Sequence, residues 1–172
     1  MAQNRVGKLM TLLSPALFIG SPALADTVTA ELNGFNEVPS LRSDATGSFR
    51  ATLNEDGDEL SYTLTYSGIA NPTQAHLHVA QPGVNGAIAV WLCSNAQNVP
   101  AGVQGCPANE GTVEGTLVGA NVMGPTEQGF TVRDFPGLLA AIGAGVVYAN
   151  VHSDSFPGGE IRGQLEPAFG TQ

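Results

Sequence analysis

The sequence predicts an all-β fold, one antiparallel Greek-key sandwich or barrel of seven to eight strands with a single short helix. Three observations predict it. Runs of polar–apolar alternation recur from residue 27 to residue 165, and a period of two marks a half-buried strand. Clusters of Gly, Pro, Asn and Asp separate the runs, as turns separate short strands. Only one stretch carries a helical pattern with both start and stop signals.

Taken in order, residues 1–25 read as a secretory signal peptide. Arg5 and Lys8 give a positive start, residues 9–19 are apolar, and Ala23-Leu24-Ala25 supplies the small-x-small pattern before a cleavage point. The apolar run is shorter than the roughly 20 residues a spanning helix needs. The mature chain is then expected to begin at Asp26 and to form one domain over residues 26–172 in the periplasm or outside the cell.

Strands are expected at residues 27–32, 47–53 and 60–66, the last two joined through the acidic turn 54–59. That turn lacks the twelve-residue calcium-loop pattern and reads as a solvated hairpin tip. A fourth strand, 73–80, holds two histidines. The turn 81–86 leads to an apolar strand, 87–92, and a further strand covers 111–118. The helix is expected after Asp134 as N-cap, with Pro136 in its first turn and Gly143 or Gly145 at its end. Strands at 146–152 and 159–165 complete the set. Trp91, Phe49, Tyr62 and Tyr66 lie on these strands and are expected in the core.

Cys93 and Cys106 are the two cysteines. In an exported chain an even pair is most simply a disulfide, here closing a short Asn/Gln/Gly/Pro-rich loop. A thiolate metal site is the alternative for the pair.

Once residues 1–25 are removed, lysine is absent and the chain is more acidic than the whole sequence's −9. Such a surface repels nucleic acid and anionic lipid, so neither is expected as a partner, nor a membrane after signal cleavage. No protein partner can be named from the residues. No serine sits in a nucleophile elbow, and no carboxylate pair is placed for acid–base work, so no catalytic residue is assigned.

All three histidines fall in strand-like segments: His76 and His78 in Ala75-His76-Leu77-His78-Val79, His152 in Asn150-Val151-His152-Ser153. Residues i and i+2 of a strand share a face, about 6.6 Å apart by the rise per residue. Two imidazoles so placed, with a third from a neighbouring strand, make a three-nitrogen metal site. Copper outranks zinc at an unspecialised nitrogen site, and zinc is the alternative. Unperturbed imidazoles would release the metal as pH falls through about 6.5. Glu160 and Arg162 are candidate supports behind the ligands; Glu160 is otherwise an ordinary exposed strand residue or a partner to Arg162, and Asp154 is likewise either a support or an ordinary exposed residue. Met123 is a candidate sulfur ligand, though packing is its plainer role.

The segments Gly47-Ser48-Phe49 through Tyr66-Ser67-Gly68, Ala75-His76-Leu77-His78-Val79-Ala80, Asn150-Val151-His152-Ser153 and Gly158-Gly159-Glu160-Ile161-Arg162-Gly163-Gln164-Leu165 together resemble the CHRD domain, named from chordin and found in exported microbial proteins. The resemblance runs from about Thr27 to Glu166. A weaker likeness is to copper/zinc superoxide dismutase: His76, His78 and His152 match three of that family's copper ligands in kind and order, and Arg162 stands where its anion-guiding arginine is expected. A bridging histidine and the zinc ligands are missing, and the cysteine pair is placed differently. The expectation is therefore an exported CHRD-domain protein holding copper for metal handling or sequestration. A superoxide-reacting copper enzyme and a protein-binding extracellular module without a metal are the alternatives.

Overall fold

The computed structural model describes residues 26–97 and 99–168; the expected signal peptide lies outside them. Nine strands and one α-helix follow in chain order. They are β1 (Thr27–Asn33), β2 (Thr46–Leu53), β3 (Leu60–Ile69), β4 (Pro72–Val79), β5 (Ala87–Ser94), β6 (Asn109–Leu117), α1 (Phe135–Gly143), β7 (Val147–Ser153), β8 (Ile161–Gln164) and β9 (Glu166–Ala168). All pairings are antiparallel, in the order β5-β4-β7-β8-β1-β2-β3-β6, with β9 against the start of β1.

The all-β class holds. The chain runs β1-β2-β3 as a meander, crosses to the far side for the β4–β5 hairpin, and returns to lay β6 beside β3. The sheet curls into a nearly closed barrel whose seam lies between β5 and β6. Tyr62 of β3 reaches across this seam, its hydroxyl donating to the Leu92 carbonyl at 3.2 Å. It can do so because its ring passes against Gly115 of β6, where a Cβ would come within 2.8 Å of the ring. The β5–β6 connection ties the seam further. Ser94 N–H donates to the Gln104 carbonyl, and the Gln104 side chain donates to Tyr62 Oη and the Glu114 carbonyl.

Alternation decides the core. Phe49, Leu64, Ile69, Leu77, Val90, Val113, Ala149, Val151 and Ile161 point inward and are buried. Phe49 and Tyr62 stack with ring centroids 6.0 Å apart. Leu138 and Ile142 of α1 join the same core, and Asp134 caps the helix by accepting from Gly137 N–H at 2.9 Å. Cys93 and Cys106 are disulfide-bonded, with Cα atoms 5.0 Å apart.

Two expectations need correction. The last expected strand divides: β8 ends at Gln164, Leu165 turns inward, and β9 moves on to pair with Thr27–Thr29. Trp91 is not in the core. Its neighbours Val90 and Leu92 face inward, so Trp91 takes the opposite face of β5 and is only half-buried there.

Candidate metal centre

The centre lies on the outer face of the barrel wall, at the middle of three adjacent strands. Along β4, Ala75, Leu77 and Val79 fill the core, so His76 and His78 project outward side by side. Along β7, Val147, Ala149 and Val151 fill the core, and Tyr148, Asn150 and His152 project outward. The antiparallel register sets Gln74 opposite His152, His76 opposite Asn150 and His78 opposite Tyr148. His152 therefore stands diagonal to His76. On the other side of β4, register shifts in β5 bring Trp91 opposite His76 and Ile88 opposite His78; such irregularities re-aim side chains.

An outer face is ordinarily wet, but this one is not. His76, His78 and His152 are 0 %, 7 % and 6 % exposed. Loops fold over them and engage their rings. The His78 Nδ1–H donates to the Gly86 carbonyl at 3.0 Å, and the His152 Nδ1–H donates to the Pro157 carbonyl at 3.0 Å. Both bonds need a proton on Nδ1, so in the neutral ring the lone pair lies on Nε2.

The rings converge. Centroids are 5.3 Å apart for His76–His78, 5.1 Å for His76–His152 and 6.0 Å for His78–His152. One ring nitrogen can be taken from each so that all three lie within 4.8 Å of one another. His76 Nδ1 and His152 Nε2 are 3.2 Å apart. Two donors about 2.0–2.1 Å from one tetrahedral ion would be separated by about 3.3 Å. The Nε2 atoms of His76 and His78 are buried without a hydrogen-bond partner. Buried polar atoms are ordinarily satisfied, and a cation is a partner that neutral imidazoles accept. The residues present thus fit a metal ion.

Burial also sets the protonation. It is the largest cause holding the His76 pKa down at about 2, with repulsion from His152 and His78 adding to it. Burial likewise holds His78 down at about 4; the Gly86 carbonyl opposes this, while His152 and Arg162 reinforce it. His152 is lowered by burial too, against the pull of the Pro157 carbonyl. All three rings are held below the ordinary histidine value, which keeps them uncharged at neutral pH and available as ligands.

Around the histidines sits a second tier that sequence reasoning identified only in part. Tyr148 stacks on His78 at 4.8 Å and 5°, and its hydroxyl accepts the Gly86 N–H at 3.1 Å. Arg162 lies over the Tyr148 ring at 4.7 Å. It also donates to the Asn36 carbonyl at 2.6 Å and to Asn85 Oδ1 at 3.0 Å, and pairs with Glu37 at 3.7 Å. Glu37 accepts from Asn150 Nδ2 at 2.7 Å; burial raises its pKa, against the pull of Asn150 and Arg162. Arg162 thus reaches the cluster through Tyr148. Glu160 accepts the Ser43 hydroxyl at 2.8 Å, and it is the Gly86 and Pro157 carbonyls that orient the rings. Asp154 is exposed, and Met123 is 43 % exposed beside Trp91 in a neighbouring cleft. Tyr148 and Asn150 were findable, at i−4 and i−2 from His152 on one strand face. Glu37, Gly86 and Pro157 carry no local signal, because loops bring them in.

A family model for the CHRD domain matches residues 28–165, and the chain belongs to that family. No curated protein and no solved structure matches it.

Proposed function

We propose that this CHRD-domain protein is an exported copper binder that holds one ion through His76, His78 and His152, for metal handling or sequestration in the periplasm or outside the cell. One observation carries the reading: three neutral, buried imidazoles converge, and two of them keep an unpartnered Nε2. Leaving such an atom unmet costs about 1–3 kcal/mol, which an ion bound at His78 Nε2 would relieve there. Copper is preferred over zinc on the affinity order for nitrogen donors. The leader-like residues 1–25 and the cysteine pair support export.

The dismutase alternative asks Arg162 to guide anions from solvent. Arg162 is 4 % exposed and engaged by Asn36, Asn85 and Glu37. Those contacts favour a structural role, and with it the binder over the enzyme.

Trp91, the single tryptophan of the chain, lies 4.3 Å from His76 between ring centroids. Cu²⁺ bound by the histidines should therefore quench its fluorescence, with an end point at one equivalent. Replacing His76, His78 and His152 together with alanine should remove that end point while the far-ultraviolet β spectrum stays. An unchanged titration in the triple variant would place copper elsewhere.

A further inference from the structure

We infer that the three-histidine site selects copper in its monovalent state over divalent ions, and that Trp91 sets this selectivity. The inference rests on the reading that these histidines hold a metal at all.

The first argument is charge. The candidate ligand group contains His76, His78 and His152 and, among the described residues, no cysteine, aspartate or glutamate. Imidazole is a neutral ligand, and the Nδ1–H groups of His78 and His152 are engaged by the Gly86 and Pro157 carbonyls. The ligands therefore bring no negative charge, and the whole charge of the ion would remain in a site whose residues are at most 7 % exposed. The cost of burying an ion grows with the square of its charge, so a divalent ion suffers about four times the penalty of a monovalent one.

The surroundings do not repair this. Two carboxylates are buried near this face: Glu37 is committed to Asn150 and Arg162, and Glu160 accepts from the Ser43 hydroxyl. On the His78 side the ordered charge is a cation: Arg162 covers Tyr148, and Tyr148 covers His78. Each added positive charge on the ion meets that guanidinium. The donor number points the same way. Zinc sites are almost always four-coordinate and Cu²⁺ prefers tetragonal surroundings, whereas a closed-shell monovalent copper ion is content with three nitrogens.

Trp91 is what keeps a fourth donor out. Its ring stands perpendicular to His76 at 4.3 Å, and the pair is fixed by the β4–β5 register. His76 is 0 % exposed beneath it, while Trp91 itself is half-buried. Truncating this ring opens the wall on the β5 side to water. Water would serve as a ligand and would raise the local polarity, and both changes favour divalent ions. Trp91 contacts a ligand rather than the metal, so its role is to position and to exclude solvent.

The test compares the full mature protein with Trp91→Ala and Trp91→Phe. Cu⁺ affinity is measured without oxygen by competition against a chromogenic chelator, Zn²⁺ affinity by calorimetry, and the potential of the copper-loaded protein by voltammetry. The parent should bind Cu⁺ more tightly than Zn²⁺ by about a hundredfold or more. Trp91→Ala should cut that ratio about tenfold, and every tenfold loss of Cu⁺ preference over Cu²⁺ lowers the potential by about 59 mV. Trp91→Phe, which keeps an aromatic cover, should stay near the parent. If the parent binds neither metal better than the triple histidine variant, the metal reading fails and the inference with it. If the histidines bind Zn²⁺ or Cu²⁺ more tightly than Cu⁺, the metal site stands and the inference is overturned. A ratio unchanged in Trp91→Ala, or lost equally in both tryptophan variants, overturns the part assigned to Trp91.

Discussion

At His76, His78 and His152 the fold withholds water from groups that ordinarily titrate near pH 6.5. An unfolded chain takes up protons at these rings as pH drops below that value. The folded chain resists until about pH 4 at His78 and about 2 at His76. The unfolded state therefore binds more protons in this window, so stability is full above about 6.5 and falls as pH drops through it. For His78 alone the loss by pH 4 is on the order of 3 kcal/mol. Glu37, with its pKa raised, works in the opposite sense and offsets part of it. The metal-free denaturation midpoint should thus fall between pH 6.5 and 4, and fall less in the triple alanine variant; equal slopes would contradict the buried, neutral assignment. Copper affinity should begin to fall at a lower pH than it would with unperturbed imidazoles, because burial lowers all three rings. The His-x-His spacing and the third histidine were legible in the sequence because strand geometry alone puts i and i+2 together. The shift away from pH 6.5 was not, since it depends on loops that cover the rings.

Between elements, the site depends on how closely the 81–86 turn approaches β4. Gly86 is the contact point: its carbonyl takes the His78 Nδ1–H and its N–H donates to Tyr148 Oη. A Cβ there would lie 2.0 Å from the Val79 carbonyl oxygen, so any side chain must push the turn away. Gly86→Ala should cost about 1–3 kcal/mol of stability and should weaken copper binding by freeing His78, with both read from one set of denaturation and titration curves. If neither changes, the Gly86 clamp does not hold the ring. Strand positions could be read from the sequence wherever one face is wet, as in β3, where Tyr62, Leu64 and Tyr66 alternate with less buried residues. β4 and β7 are buried on both faces, and there alternation of residue type persisted only because the outer face carries histidine, tyrosine and asparagine. The outward face of Trp91 is not legible in the sequence, because an aromatic on an apolar strand looks like core and the register shifts of β5 leave no mark in composition.

For the molecule as a whole, the barrel supplies rigidity and its outer wall supplies chemistry. The disulfide sits at the β5–β6 seam, two residues beyond Trp91, and a loop of this size contributes about 3 kcal/mol by the chain-entropy estimate. The β5–β6 connection it closes also binds β3 and β6 through Gln104. The seam and the histidine cluster thus share β5. The even cysteine pair and the turn spacing made the disulfide and the all-β class readable; barrel closure was not, because it depends on a long-range meeting of β3, β5 and β6 at Tyr62 and Gly115. X-ray absorption on the protein carrying one equivalent of copper tests the three-histidine centre most directly. The account predicts a nitrogen shell at about 2.0 Å with the outer-shell scattering of about three imidazoles, absent from the triple alanine variant. A sulfur shell near about 2.3 Å, or oxygen scattering without imidazole, would contradict it.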